Sequence, residues 1–139
     1  LGRGRLYPLA LEAALKLKEL SYIHAEGFAA GEMKHGPIAL IEDELPVICL
    51  LDEDALSVKT ISNLKEAEAR GATIILIATQ TIAKQVDFAR FKIVIEDCDP
   101  LIAPIILAVP AQILAYQTAF EKGTDVDQPR NLAKSVTVE

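Results

Sequence analysis

The sequence predicts an α/β protein, a three-layer αβα sandwich around a parallel sheet. Three short apolar runs, "PVICLLD" (46–52), "ATIILIAT" (72–79) and "FKIVIED" (91–97), alternate with helical segments. Strands that alternate with helices make βαβ units and a parallel sheet. The runs are apolar without strict alternation, so helices are expected on both faces of that sheet. The chain has 139 residues, 51% of them hydrophobic and 24% charged, which fits one globular domain with a real core.

The elements follow in order. A first helix is expected from Pro8, a good first-turn residue, to about His24. A segment bearing Gly27, Gly31 and Gly36 comes next. After the first strand, "DALSVKTISNLKEAEARG" (54–71) reads as an amphipathic helix that opens at an Asp and closes at a Gly. "TIAKQVDFA" between the second and third strands reads as a short helix. A long apolar helix then runs to near Gly123. It is apolar around most of its circumference and calls for cover on more than one side, by a second domain or a second subunit. "LGRG" at the start reads as the stub of a further strand, and the missing initiator Met points to a piece excised from a larger protein.

Composition excludes several classes. Net charge is −6 and the pI is near 4.9, which argues against nucleic acid and against an anionic membrane surface. Two cysteines, Cys49 and Cys98, carry no metal or disulfide spacing, as in a reduced cytosolic protein. No signal-peptide pattern is present. "LIAPIILAVPAQILAYQTAF" (101–120) approaches spanning length, but Pro104, Pro110, Gln112 and Gln117 interrupt it and acidic residues flank it. A buried or interfacial helix is expected there.

Within the first helix, Glu12, Lys16 and Glu19 fall within about 60° of one another at about 100° per residue. Leu9, Leu20 and Ile23 lie to one side of this stripe, and Leu11, Leu15 and Tyr22 to the other. Ala10, Ala14, Lys18 and Ser21 form the opposite face, suited to solvent or to a tight helix contact. Glu12 and Lys16 read as an ordinary i,i+4 ion pair, or as charges kept between apolar flanks for use. A carboxylate in that setting is a candidate general base. His35, on the loop "GEMKHGP" (31–37), is either a surface histidine or an acid–base group. Pro37 is expected to push Gly36 into an extended conformation. His24 reads as a C-terminal cation or cap of the helix. "GRG" and "ATQT" stand where open α/β sheets bind ligands, but no dinucleotide fingerprint or P-loop accompanies them.

Three segments carry a family resemblance: "ALEAALKLKELSYIHAEGFAAGEMKHGP", "IAPIILAVPAQILAYQTA" and "KGTDVDQPRNLAKSVTVE". Together they resemble the C-terminal sugar isomerase (SIS) domain in the isomerase portion of the glutamine–fructose-6-phosphate aminotransferases, the glucosamine-6-phosphate synthases. The resemblance implies a flavodoxin-like or Rossmann-like SIS domain over residues 1–126, the second of two in such an enzyme. It implies a tail, residues 127–139, that closes over the sugar site. The implied reaction converts fructose 6-phosphate and glutamine-derived ammonia to glucosamine 6-phosphate, in amino sugar biosynthesis, with no cofactor and no metal.

The family's roles fall on matching positions. Lys134 matches the imine-forming lysine and Glu19 the proton shuttle between C1 and C2. Lys16 matches the lysine that supports charge on the enolamine. His35 matches the histidine that assists ring opening and reaches into the neighbouring subunit. Glu12 and Arg130 match supporting positions. A cytoplasmic homodimer is implied, with the glutaminase and first SIS domains as further partners. The S-x-S-G phosphate loop of the first SIS domain and the nucleophilic cysteine of the glutaminase do not occur here, so this piece is expected to be inactive alone. The other readings are a deaminase or deglycase acting on amino-sugar phosphates, a sugar-phosphate-sensing module without catalysis, and a structural dimerisation half.

Overall fold

A computed structural model describes residues 1–132 and contains three parallel strands in the order β1-β2-β3. These are β1 (Pro46–Leu51), β2 (Thr73–Thr79) and β3 (Phe91–Ile95). The helices are α1 (Tyr7–Ser21), α2 (Ser57–Glu68), α3 (Gln80–Ala83) and α4 (Ala103–Glu121). Short 3₁₀ helices cover Gly4–Leu6, Ala30–His35 and Pro37–Leu40. The register pairs Leu51 with Ala78 and Thr79 with Ile95, so the three strands end together at one carboxyl edge.

Residues 1 and 2 extend the sheet. Leu1 donates to the Ile48 carbonyl, and its own carbonyl accepts from Leu50 N–H at 2.9 Å. Gly2 bridges in parallel to Ala29 on the other side. The "LGRG" segment therefore takes the place of a strand between β1 and the 28–30 segment.

The side-chain period of two sorts the core into two layers. Cys49 and Leu51 of β1 and Ile74, Leu76 and Ala78 of β2 face Leu64 and Ala67 of α2 and Ile82 of α3. Leu50 and Ile77 face the other way, onto Leu6, Ala10, Leu107 and Ala111. Fully burying each Leu or Ile contributes about 1.5–3 kcal/mol. The strands are apolar on both faces because each face carries a helical layer.

The α1–α4 contact explains which α1 residues are inside. Ala10, Ala14 and Ser21 are buried, whereas Leu11 and Leu15 are exposed. On α4 the buried residues are Ala103, Leu107, Ala111, Ala115 and Ala119, four apart along one ridge. Small side chains on both helices let the backbones approach closely. The face opposite the charged stripe is thus a tight helix contact, with Lys18 alone left exposed at its edge.

Helix ends follow local chemistry. Asp54 Oδ1 accepts from Leu56 N–H at 2.7 Å just before α2 begins. Gly71 (φ +97°) turns the chain after α2, and a Cβ there would meet Asp43 Oδ1 at 2.3 Å. α1 ends at Ser21, short of the expected His24, because Tyr22 takes a left-handed conformation (φ 57°) and closes the helix on the Lys18 carbonyl at 3.1 Å. His24 therefore lies past the helix end, where Tyr22 is the cap. His24 is solvent-exposed, with Nε2 3.8 Å from Glu26 Oε1. α4 continues through Pro110 without a break. Among the described residues it is the one helix long and apolar enough to cross a membrane. One ridge of it packs on α1 and the sheet, and the other carries Ile105, Val109, Ile113, Tyr116 and Phe120 in the open.

Candidate functional site

The charged stripe of α1 forms as the helical period requires. Lys16 Nζ donates to Glu19 Oε2 at 2.7 Å and stands 3.6 Å from Glu12 Oε1. The Lys16 and Glu19 side chains are 31% and 27% exposed, so the charges between apolar flanks are paired and partly wet. Lys16 titrates above its ordinary value, first because of the hydrogen bond to Glu19. Attraction from both carboxylates adds to this, and partial burial opposes it. An ammonium held protonated is not a nucleophile near neutral pH. It can orient the Glu19 carboxylate and offset negative charge that develops beside it.

The chain returns to this end of α1 after α4. Thr124 Oγ1 donates to the Leu20 carbonyl at 2.6 Å. The Arg130 backbone N–H donates to the Tyr22 hydroxyl at 2.8 Å, and its guanidinium stacks 4.1 Å from the Tyr22 ring centroid. Arg130 is thereby fixed one helical turn beyond Glu19. Tyr22, an apolar flank of the stripe in the sequence, is the residue that holds Arg130. Its partner lies 108 positions away, and no local pattern links them.

Lys134 falls outside the described residues. Three residues separate it from Arg130, and the four Cα-to-Cα steps between the two span at most roughly 14 Å when extended.

His35 stands elsewhere. It ends the 3₁₀ turn Ala30–His35, which packs on α2 and contributes Met33 to the layer opposite α1. The His35 side chain is exposed, and among the described residues no hydrogen bond or ion pair joins it to Glu12, Lys16 or Glu19. Gly36 is not extended as expected. Its φ of +155° and ψ of −58° lie in a region open to glycine, which satisfies the steric demand of Pro37 by a route other residues lack.

Two cavities lie outside the charged stripe. One of about 490 Å³ lies between α1, the 23–28 segment, β1 and α4, among Leu17, Ile23, Phe28 and Leu114. The other, of about 190 Å³, opens at the carboxyl edge of the sheet between Asp52, Thr79 and Asp97. Glu12, Lys16, Glu19, His35 and Arg130 line neither. Among the described residues the stripe stands on an open surface. Among the described residues no group of three His, Cys, Asp or Glu side chains could hold a metal ion.

Comparison with known proteins assigns the family. The SIS domain profile matches residues 1–122. The chain is 60% identical over its full length to a glutamine–fructose-6-phosphate aminotransferase (isomerizing) of Sphingobium yanoikuyae, of which it covers 90%. It is 59% identical to the enzyme of that name from Zymomonas mobilis, and there it spans 23% of the length. Among solved structures, the C-terminal domain of glucosamine-fructose-6-phosphate aminotransferase from Francisella tularensis superposes with a TM-score of 0.86 at 44% identity. That match covers 91% of this chain and 36% of the other. Glucosamine-6-phosphate deaminase from Thermotoga maritima gives 0.75 at 27%, over 99% of this chain and 39% of the other. A parallel α/β sheet, a Lys16–Glu19 pair at the end of α1 and a tail tied back to it thus accompany whole-length identity, and the chain belongs to the SIS domain family, within the glutamine–fructose-6-phosphate aminotransferases.

Proposed function

We propose that the chain is the second SIS domain of an isomerising glutamine–fructose-6-phosphate aminotransferase, with residues 1–126 as the domain and 127–139 as its closing tail. The observation that carries this is 60% identity over the full chain to such an enzyme, against 27% to the deaminase. The docking of Arg130 on Tyr22 supports it, because it brings the tail to the Glu19 end of α1.

In this reading Lys134 adds to the C2 carbonyl of fructose 6-phosphate and forms an imine with loss of water. Ammonia displaces the lysine. Glu19 takes the C1 proton, and the electron pair moves to give an enolamine. Return of a proton at C2, with loss of the C1 hydroxyl proton, leaves the C2 amine and the C1 aldehyde of glucosamine 6-phosphate. One base on a rigid helix suits a transfer between adjacent carbons. Lys16 holds Glu19 in place and offsets charge on the enolamine. His35 lies in the opposite helical layer, and its work on ring opening fits the site of a second copy. No S-x-S-G loop occurs in this chain, so the phosphate grip comes from the first SIS domain. The exposed ridge of α4 suits cover by that domain or by a second subunit in a cytoplasmic homodimer.

The test is solvent exchange. In an enzyme with both SIS domains, Glu19→Gln should slow deuterium exchange at C1 of fructose 6-phosphate by about 10²–10⁴-fold. Exchange at the unaltered rate would remove Glu19 from its role.

A further inference from the structure

The small cavity at the carboxyl edge of the sheet is not used by the reaction above. We propose that it binds a small hydroxylated organic amine, of amino-sugar size and without phosphate. The register sets Asp52, after β1, beside Thr79 at the end of β2, and Asp97 just beyond the end of β3. Thr79 is 3% exposed, and its Oγ1 has no hydrogen-bond partner among the described residues. A buried hydroxyl without a partner is unusual in a folded protein and marks a place where a ligand group completes the set.

The lining selects the ligand's charge. Asp52 is 2% exposed and is tied to Arg5, whose Nε donates to Oδ2 at 3.0 Å. The Arg5 guanidinium also reaches the Glu53 carbonyl at 3.3 Å, so this cation is already engaged. Asp97 accepts from Thr81 N–H at 2.9 Å and from Thr81 Oγ1 at 2.7 Å, which fixes its carboxylate at the rim. Those hydrogen bonds, aided by the field of Lys84, hold Asp97 ionised below its ordinary range. Among the described residues neither Glu53 nor Asp97 forms a salt bridge. An anion such as a sugar phosphate meets repulsion here, and an ammonium group meets attraction.

Among the described residues no ligand set suited to a metal ion stands at this place. A volume of about 190 Å³ lies below the usual range for drug-sized ligands, about 300–1,000 Å³. It suits one monosaccharide or an amino alcohol, whose hydroxyl would pair with Thr79 Oγ1. The site does not depend on the isomerase reading, since it shares no residue with Glu19 or the tail.

Cys98 lines the cavity, while Cys49 is fully buried with its thiol pushed up to about 11, so the two cysteines form a probe and a control. The experiment alkylates the protein with iodoacetamide in amine-free buffer and follows both cysteines by peptide mass spectrometry. Free glucosamine should slow Cys98 alkylation saturably, by about tenfold or more, with Cys49 unreactive throughout. Glucose and glucosamine 6-phosphate should protect far less. Thr79→Val, which keeps the side-chain shape, should remove the protection. Protection equal for glucose and glucosamine, or by glucosamine in Thr79→Val, would overturn the proposal. So would a labelling rate that glucosamine does not change, including one already slow because the cavity is covered.

Discussion

The docking of the tail on Tyr22 can be tested by removing one atom. Tyr22→Phe deletes the hydroxyl that accepts the Arg130 N–H at 2.8 Å and leaves the ring under the guanidinium at 4.1 Å. Phe and Tyr share the same backbone cost at φ 57°, so the helix end is unchanged. A single hydrogen bond of this kind contributes about 1 kcal/mol net, which is about fivefold in the docking equilibrium. Tyr22→Leu removes the ring as well. An exposed cation–π contact adds about 0.5–1 kcal/mol, so the combined loss is about 1.5–2 kcal/mol, or roughly 10–30-fold. Amide hydrogen exchange of Arg130 and Asn131 reads this directly. Exchange should rise in the order wild type, Phe, Leu, with helix α1 unaffected. Equal protection of Arg130 in all three proteins would refute the claim that Tyr22 anchors the tail.

Other consequences follow from the same contacts. Lys16→Met should change thermal stability by less than about 1 kcal/mol, since the pair is partly exposed, yet lower turnover of an enzyme with both SIS domains at unaltered folding. Calorimetry and kcat measured on one preparation separate the two effects. Asp97 has a folded value below its ordinary 3.8, so its stabilising contribution is fully present above pH 3.8 and is lost as pH falls through the lower folded value. Asp97→Asn should flatten that acid limb of the stability–pH curve, read by thermal melts between pH 2 and pH 5, taken as roughly the carboxylate range. Thr79→Val should stabilise the unliganded protein by about 1 kcal/mol, or roughly 3–5 °C, because it removes a buried hydroxyl that has no partner.

Much of the fold was legible because burial on two faces leaves a plain mark. "ATIILIAT" holds five consecutive apolar residues, 74–78, and β2 spans Thr73–Thr79 with helices on both sides. The Glu12–Lys16–Glu19 stripe was legible for the same reason, since spacing alone puts those side chains on one face. The direction of α1 was not. A wheel weighted by side-chain size leaves Ala10, Ala14 and Ser21 ambiguous, and only the alanine ridge of α4, about a hundred residues on, makes small residues the buried ones. The contact of Tyr22 with Arg130 was not legible because its partner comes from the far end of the chain. The orphaned Thr79 hydroxyl had a weak signal, the polar "ATQT" at a strand end, but burial without a partner is visible only in three dimensions.

The central claim is that the tail places Lys134 against a sugar held beside Glu19. Borohydride trapping tests it most directly. An enzyme containing both SIS domains is incubated with fructose 6-phosphate and borohydride, and the sugar adduct is mapped by peptide mass spectrometry. One adduct is expected, on Lys134, and none in Lys134→Ala. An adduct on Lys16, or none at all, would contradict the claim.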